Sequence, residues 1–155
     1  MVFSHNLISN KSLLVQGYEA FAAKDFSRAF VAFQQAAEEG DVEAMFFMAY
    51  CYDTGKGVER NYERAADYYH AAADGGDASA MYRLFEMYVA GDGVRKSDDE
   101  AYGWLIEAAK QKYPPAVKML RLWGDALVED DSEEDDADAA TAALSGAVAD
   151  EMGEV

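Results

Sequence analysis

The sequence is poor in the residues that build covalent or metal-bound frameworks. Cys51 is the only cysteine among 155 residues, which excludes an internal disulfide framework and favours a reducing compartment. The chain has only two histidines and one cysteine, too few for the four Cys and His ligands of a typical structural zinc site. We therefore expect a fold held together by side-chain packing, with no metal and no cofactor.

Long hydrophobic runs are missing as well. Nowhere in the chain do about 20 consecutive apolar residues occur, which is the length that a membrane-spanning helix needs. Residues 1–10 lack both the basic start and the apolar stretch of a secretory signal. These two absences predict a soluble cytoplasmic protein that does not insert into a membrane.

Basic residues are scarce, and their distribution is uneven. Thirteen Lys and Arg stand against thirty Asp and Glu, for a formal charge of -17. Eleven of the acids and none of the bases lie between Glu129 and Val155, which leaves the first 128 residues at about -6. Such a charge disfavours binding to nucleic acid and anionic membranes, and it favours a basic protein partner.

The residues that are present recur with a period of 36. A period of this size is typical of a solenoid, in which each repeat buries its apolar face against its neighbours. Function then lies on a surface rather than in a catalytic pocket. The matching residues between Asp41 and Lys112 are Ala44 and Ala80, Tyr52 and Tyr88, Gly55 and Gly91, Gly57 and Gly93, Val58 and Val94, Ala65 and Ala101, and Ala72-Ala73 and Ala108-Ala109.

Apolar residues at helical spacing predict two helices, A and B, in each repeat. Asp25, Asn61 and Ser97 lie 36 residues apart, and all three are residue types that cap helices well, so a helix B is expected to begin after each. Gly40 is expected to end the first helix B in a left-handed conformation. The predicted helices cover Lys11 to Ala23, the residues after Asp25 up to Glu39, Val42 to Asp53, Tyr62 to Asp74, Ser79 to Ala90, Asp98 to Gln111, and Pro115 to Val128.

At these positions the sequence resembles the Sel1-like repeat family, a branch of the helix-turn-helix solenoids similar to tetratricopeptide repeats. The first repeat lacks the family's Gly-x-Gly insertion and is closer to a plain tetratricopeptide repeat, and Phe85 stands where a small residue is usual. The second repeat matches the family pattern at Ala44, Tyr52, Gly55-x-Gly57-Val58, Ala65, Tyr68-Tyr69 and Ala72-Ala73, and the third matches it at Ala80, Tyr88, Gly91-x-Gly93-Val94, Ala101, Trp104-Leu105 and Ala108-Ala109.

The resemblance implies an all-α fold, a right-handed superhelical solenoid of about three and a half helix-turn-helix repeats. We expect residues 1–128 to form the repeat domain and residues 129–155 to form an acidic, Ala-rich C-terminal tail. Leu144, Val148 and Met152 recur at four-residue spacing, so residues 137–152 form either a degenerate helix B or a helix that folds only on contact. Two roles stay open for the acidic tail, which either mimics a polyanion or folds back onto the solenoid.

The resemblance also implies that helix A lines a concave groove. Aromatic anchors bordered by carboxylates are typical of binding hot spots, and such a groove suits a helix or an extended peptide that carries basic residues. An alternative stays open, because the same aromatic residues would also pack neighbouring repeats together. The predicted partner-binding residues are Tyr18, Phe21, Glu43, Phe46, Tyr50, Asp53, Tyr82 and Glu86.

No pattern in the chain predicts catalysis, so we do not expect an enzyme. His70 and Cys51 have no base or acid beside them in a known catalytic arrangement. Gly55 and Gly57 follow no predicted strand and are not followed by Lys-Ser or Lys-Thr, so they predict a turn between helices rather than a phosphate-binding loop.

The leading hypothesis is an adaptor that binds a partner protein or peptide through the helix A groove. One alternative is an immunity or inhibitor protein that neutralises a basic toxin or enzyme, because acidic complementarity speeds association with a cationic active site. A second alternative is a regulatory subunit associated with an enzyme. A third is a chaperone-like clamp for a peptide tail.

Overall fold

Helices form all the regular structure in the part of the chain that the structure describes. The computed structural model describes residues 13–129. Every predicted helix end within this range is confirmed to within one residue, whereas the predicted lead-in and the predicted helix at 137–152 lie outside it. The helices are α1 (13–22), α2 (Phe26–Glu38), α3 (Val42–Thr54), α4 (Tyr62–Asp74), α5 (Ala78–Ala90), α6 (Asp98–Lys110) and α7 (Pro114–Glu129).

Side-chain caps fix where the B helices α2, α4 and α6 begin. A cap satisfies a backbone N–H group that has no partner inside the helix. The three predicted caps are confirmed, and each accepts a hydrogen bond from the backbone N–H three residues on: Asp25 from Arg28 at 3.3 Å, Asn61 from Arg64 at 3.0 Å, and Ser97 from Glu100 at 3.2 Å.

The turn between α3 and α4 needs glycine for two reasons. Gly55 and Gly57 have φ angles of +71° and +75°, in the left-handed region that favours glycine. A Cβ atom at Gly57 would also lie 2.1 Å from the carbonyl oxygen of Phe26, at the start of α2. The turn therefore packs directly on the backbone at the start of α2, and it adopts the connecting role predicted for it.

The repeated alanines let helices A and B approach each other closely. Their small side chains leave room for the facing helix, so two backbones pack with no gap between them. The helices group into two compact units that divide between Asp77 and Ala78, and we call them the N-terminal and the C-terminal unit. Six repeat alanines are completely buried, namely Ala44, Ala65 and Ala72 in the N-terminal unit and Ala80, Ala101 and Ala108 in the C-terminal unit.

Larger side chains complete the core of each unit. In the N-terminal unit α3 packs against α2 and α4, and Phe33, Met48 and Tyr69 are almost completely buried. In the C-terminal unit α6 packs against α5 and α7, and Leu84 and Phe85 are completely buried. Phe85, the departure from the family pattern, is therefore a core residue.

Cys51 belongs to the core of the N-terminal unit. The residue is completely buried, and burial raises the pKa of its thiol to about 11. Since this pKa exceeds the ordinary value of 9.0, the neutral thiol contributes its full stabilisation below about pH 9. That contribution is lost as the pH rises from 9 towards 11. At neutral pH the thiol is protonated and shielded, so its labelling reports opening of this unit.

Candidate functional site

The predicted binding residues fall on three A helices in two units. Six of them lie in the N-terminal unit, on α1 and α3, and the other two lie on α5 of the C-terminal unit. We call the set Tyr18, Phe21, Glu43, Phe46 and Tyr50 the helix A face. It belongs entirely to the N-terminal unit and is described first.

Aromatic contacts join the two helices that carry the helix A face. Phe47 of α3 is the centre of this network, since its ring contacts Tyr18 at 5.1 Å, Phe21 at 6.2 Å and Phe46 at 5.6 Å between centroids. All three pairs are edge-to-face, a geometry that aromatic quadrupoles favour. Phe47 was not among the predicted binding residues, although its position beside Phe46 was a visible signal of an aromatic cluster.

Phe33 supports this network from within the core. It stacks on Phe47 with centroids 4.9 Å apart and planes only 15° apart, and it meets the edge of Tyr18 at 5.8 Å. Gly17 makes room for it, because a Cβ atom there would lie 2.5 Å from a ring carbon of Phe33. The helix A face is thus built directly on a buried ring.

Lys56 adds a cation to the aromatic side of the helix A face. Its Nζ lies 5.2 Å from the ring centroid of Phe21, 5.3 Å from that of Phe26 and 5.1 Å from that of Tyr50. It also donates a hydrogen bond of 3.3 Å to the Tyr50 hydroxyl. Each cation–π contact of this kind contributes about 0.5–1 kcal/mol at an exposed site. The arrangement is an aromatic box around an ammonium group.

The sequence pattern gave no signal for the Lys56 box. Lys56 lies in the turn between helices A and B, and the equivalent position of the third repeat holds Asp92. Because the box depends on the turn folding against α1 and the start of α2, periodicity alone does not predict it.

Carboxylates border the other end of the helix A face. Glu43 is exposed in the first turn of α3, after the cap residue Asp41, which accepts a hydrogen bond of 2.9 Å from the Ala44 N–H. Burial raises the pKa of the Tyr18 hydroxyl above its usual range, and the nearby carboxylates of Glu43 and Asp41 raise it further. Tyr18 therefore stays a neutral phenol at physiological pH.

Asp53 does not lie on the helix A face, contrary to the prediction. It is only 8% exposed, and its carboxylate accepts a hydrogen bond of 3.0 Å from the Tyr69 hydroxyl. A buried carboxylate needs such donors, because burying even a neutral polar group without a hydrogen bond costs about 2–7 kcal/mol and burying an unpaired charge costs more. Asp53 thus links α3 to α4 inside the protein, and we leave it out of the proposed surface.

Tyr82 and Glu86 form a separate patch on α5. The Tyr82 ring is half-buried and lies 5.4 Å from Phe85 and 5.7 Å from Tyr113. The Glu86 carboxylate accepts a hydrogen bond of 2.8 Å from the Arg83 guanidinium, and the two side chains form an ion pair. The contact role predicted for Tyr82 and Glu86 stays a prediction.

Neither a metal cluster nor a membrane span is found among residues 13–129. No group of three or more His, Cys, Asp or Glu side chains comes together there in a way that would hold a metal ion. No helix in the same range has the length and apolar character that crossing a membrane requires.

Comparison with known proteins places the repeats in a family. The Sel1 repeat model matches residues 16–41, 42–77 and 78–113, which reproduces the period of 36 in its last two matches. A comparison with curated proteins found no match.

Solved structures resemble the same repeats. A Sel1 repeat protein from Oxalobacter formigenes is 30% identical with a TM-score of 0.66, over 74% of this chain and 46% of that protein. A protective antigen of uropathogenic Escherichia coli with an SLR fold is 22% identical with a TM-score of 0.70, over 93% of this chain and 32% of that protein.

Cysteine-rich protein B of Helicobacter pylori is a third similar structure, 20% identical with a TM-score of 0.58 over 72% of this chain and 94% of that protein. The chain spans about half the length of the first of the three and about a third of the second. The shared fold confirms the predicted fold class, an all-α helical repeat solenoid. Its predicted right-handed superhelix stays a prediction.

Proposed function

Because the chain belongs to the Sel1 repeat family, whose members typically act as non-enzymatic scaffolds for protein–protein interaction, we propose that it is an adaptor that binds a partner protein through the helix A face. The face offers four half-buried aromatic rings and the exposed carboxylate of Glu43. Aromatic anchors bordered by charge are the usual composition of an interaction hot spot.

One observation carries this proposal, namely the Lys56 box. Phe21 and Tyr50 hold an ammonium group of the protein itself, with ring centroids about 5 Å from Lys56 Nζ. A lysine or arginine side chain of a partner would take the place of Lys56 against these two rings. A partner segment with basic and apolar residues fits the helix A face, and the negative charge of the chain would speed association with such a segment.

Rigidity of the anchors gives further support. Phe21 contacts Phe26 at 5.1 Å and Tyr50 at 5.9 Å, and Phe46 contacts Tyr69 at 5.7 Å. Side chains that already hold each other in place lose little conformational freedom when a partner arrives, so less of the interaction energy is offset by ordering.

The proposal is tested by mapping where the partner binds. The full chain is used to capture its partner from the native organism, and amide hydrogen exchange is then compared with and without the purified partner. We expect slower exchange in α1, α3 and the turn around Lys56. Slower exchange confined to α4 or α6 would contradict a role for the helix A face.

The identity of the captured protein also separates the alternatives. A basic toxin whose activity is lost on binding would make the chain an immunity protein. An enzyme whose rate changes on binding would make it a regulatory subunit. Either result assigns the class of partner, and the hydrogen-exchange comparison assigns the binding face.

A further inference from the structure

The last helix of the described chain presents a side that the earlier repeats cover with a helix B. In the third repeat, Met81 of α5 is 7% exposed, and the side chain of Gln111, directly after α6, donates to its sulfur at 3.6 Å. The equivalent of Met81 one period later is Val117 of α7, which is half-exposed.

A groove of the C-terminal unit includes this position and extends beyond it. It has a volume of about 560 Å³ and is lined by three apolar and three basic residues: Pro114, Val117, Leu122, Lys112, Lys118 and Arg121. Leu122 is 48% exposed, which is high for a large apolar side chain beside a groove. In a chain with only thirteen basic residues, three of them at one groove select for an acidic occupant with apolar side chains.

Lys112 takes an unfavourable conformation at the edge of this groove. Gly40 and Gly76, its equivalents in the two preceding repeats, have φ angles of +92° and +95°. Lys112 also has a positive φ, of +60°, a region that glycine enters freely and other residues rarely do. The turn before α7 thus places a basic side chain where the repeat pattern uses glycine.

We propose that residues 130–155 of this chain dock in the groove and cover α7 as helix B covers helix A in the earlier repeats. These 26 residues carry ten acids and no base. In the third repeat, a seven-residue connection and a 13-residue helix B are enough for the chain to turn back and cover α5. The 26 residues after α7 are more than this, so they are long enough to cover α7 in the same way. Charge and length therefore both match the groove.

The repeat register says which residues meet. Gln111 beside Met81 shows that the end of helix B lies at the start of helix A. One period later, the residues around 147 lie at Val117. Leu144 and Val148 then lie beside the apolar lining of the groove, and Asp150 and Glu151, just past the end of such a helix, lie near Lys112.

Amide hydrogen exchange on the full chain tests this docking. We expect slowed exchange in residues 140–155 of the wild-type protein. Reversing two groove charges, with Lys112→Glu and Arg121→Glu, should speed that exchange about tenfold, because the groove would then repel an acidic segment instead of attracting it. The matched control, Arg95→Glu with Lys96→Glu, reverses an exposed pair of the same unit outside the groove and should leave the exchange unchanged.

A charge swap guards against an indirect effect of the groove variant. Adding Asp150→Lys and Glu151→Lys to the groove reversal should restore slow exchange, which a merely misfolded groove would not allow. Wild-type exchange in residues 140–155 at the rate of a free peptide would overturn the proposal. So would slow exchange that the groove reversal leaves intact, or slow exchange that disappears on dilution and so reports a second copy of the chain.

Discussion

Replacing Gly57 with alanine is expected to destabilise the N-terminal unit by about 3 kcal/mol or more. The new Cβ would lie 2.1 Å from the Phe26 carbonyl oxygen and 2.6 Å from its carbon, so the turn would have to move away from α2. The left-handed φ of +75° adds strain for any residue with a Cβ. The Phe26 backbone is held in place at the start of α2, so it cannot move out of the way as a flexible side chain could.

Gly55→Ala is the matched control for this change. Gly55 has nearly the same φ, +71°, but its Cβ would meet the Arg60 side chain at an ordinary 3.4 Å. We expect a loss of only about 1 kcal/mol from backbone strain. The two variants are compared by urea denaturation and by labelling of Cys51, which is buried in the same unit. Equal losses for Gly55→Ala and Gly57→Ala would refute close packing of the turn.

Phe33→Ala is expected to cost the N-terminal unit about 3–5 kcal/mol, the range for removing a fully buried aromatic ring. Phe33 is completely buried, and it fills the space that Gly17 leaves on α1. Its loss also removes the ring on which Phe47 stacks, so the aromatic network of the helix A face should loosen. Partner affinity should therefore fall along with stability.

Two control variants, one at the same position and one elsewhere on α2, show how large the stability loss of Phe33→Ala is. Phe33→Leu keeps most of the buried volume and should cost less than about 1.5 kcal/mol. Val31→Ala removes a side chain that is 51% exposed on α2 and should change the stability by no more than about 0.5 kcal/mol. Urea denaturation measures all three. A loss for Phe33→Ala no larger than that for Val31→Ala would mean that this core is not closely packed.

The helices were predictable because their ends are decided locally. Asp25, Asn61 and Ser97 each cap the helix that follows, and a cap depends on only four consecutive residues. The glycine turn was predictable for a similar reason, since Gly55 and Gly57 supply a conformation that the turn requires. Such local signals can be recognised in a single sequence without knowledge of tertiary contacts.

The composition of the candidate site was harder to predict, because it depends on tertiary contacts. Helix α3 carries apolar residues on every side, so periodicity could not separate its inner face from its outer face. Asp53 was placed on the surface by alignment, yet it accepts a hydrogen bond from Tyr69 inside the unit. Lys56 was overlooked because a connecting turn shows no periodicity that would bring it to three aromatic rings.

The most direct test of the helix A face uses two glutamates in equivalent helix positions. Glu43 and Glu63 are both exposed and lie in the first turns of α3 and α4, so reversing either charge perturbs its helix in the same way. The measurement is the affinity of the captured partner for the Glu43→Lys and Glu63→Lys chains. We expect Glu43→Lys to weaken binding about tenfold, mainly through slower association, and Glu63→Lys to leave it unchanged. Equal affinity of the two variants would contradict partner binding at the helix A face.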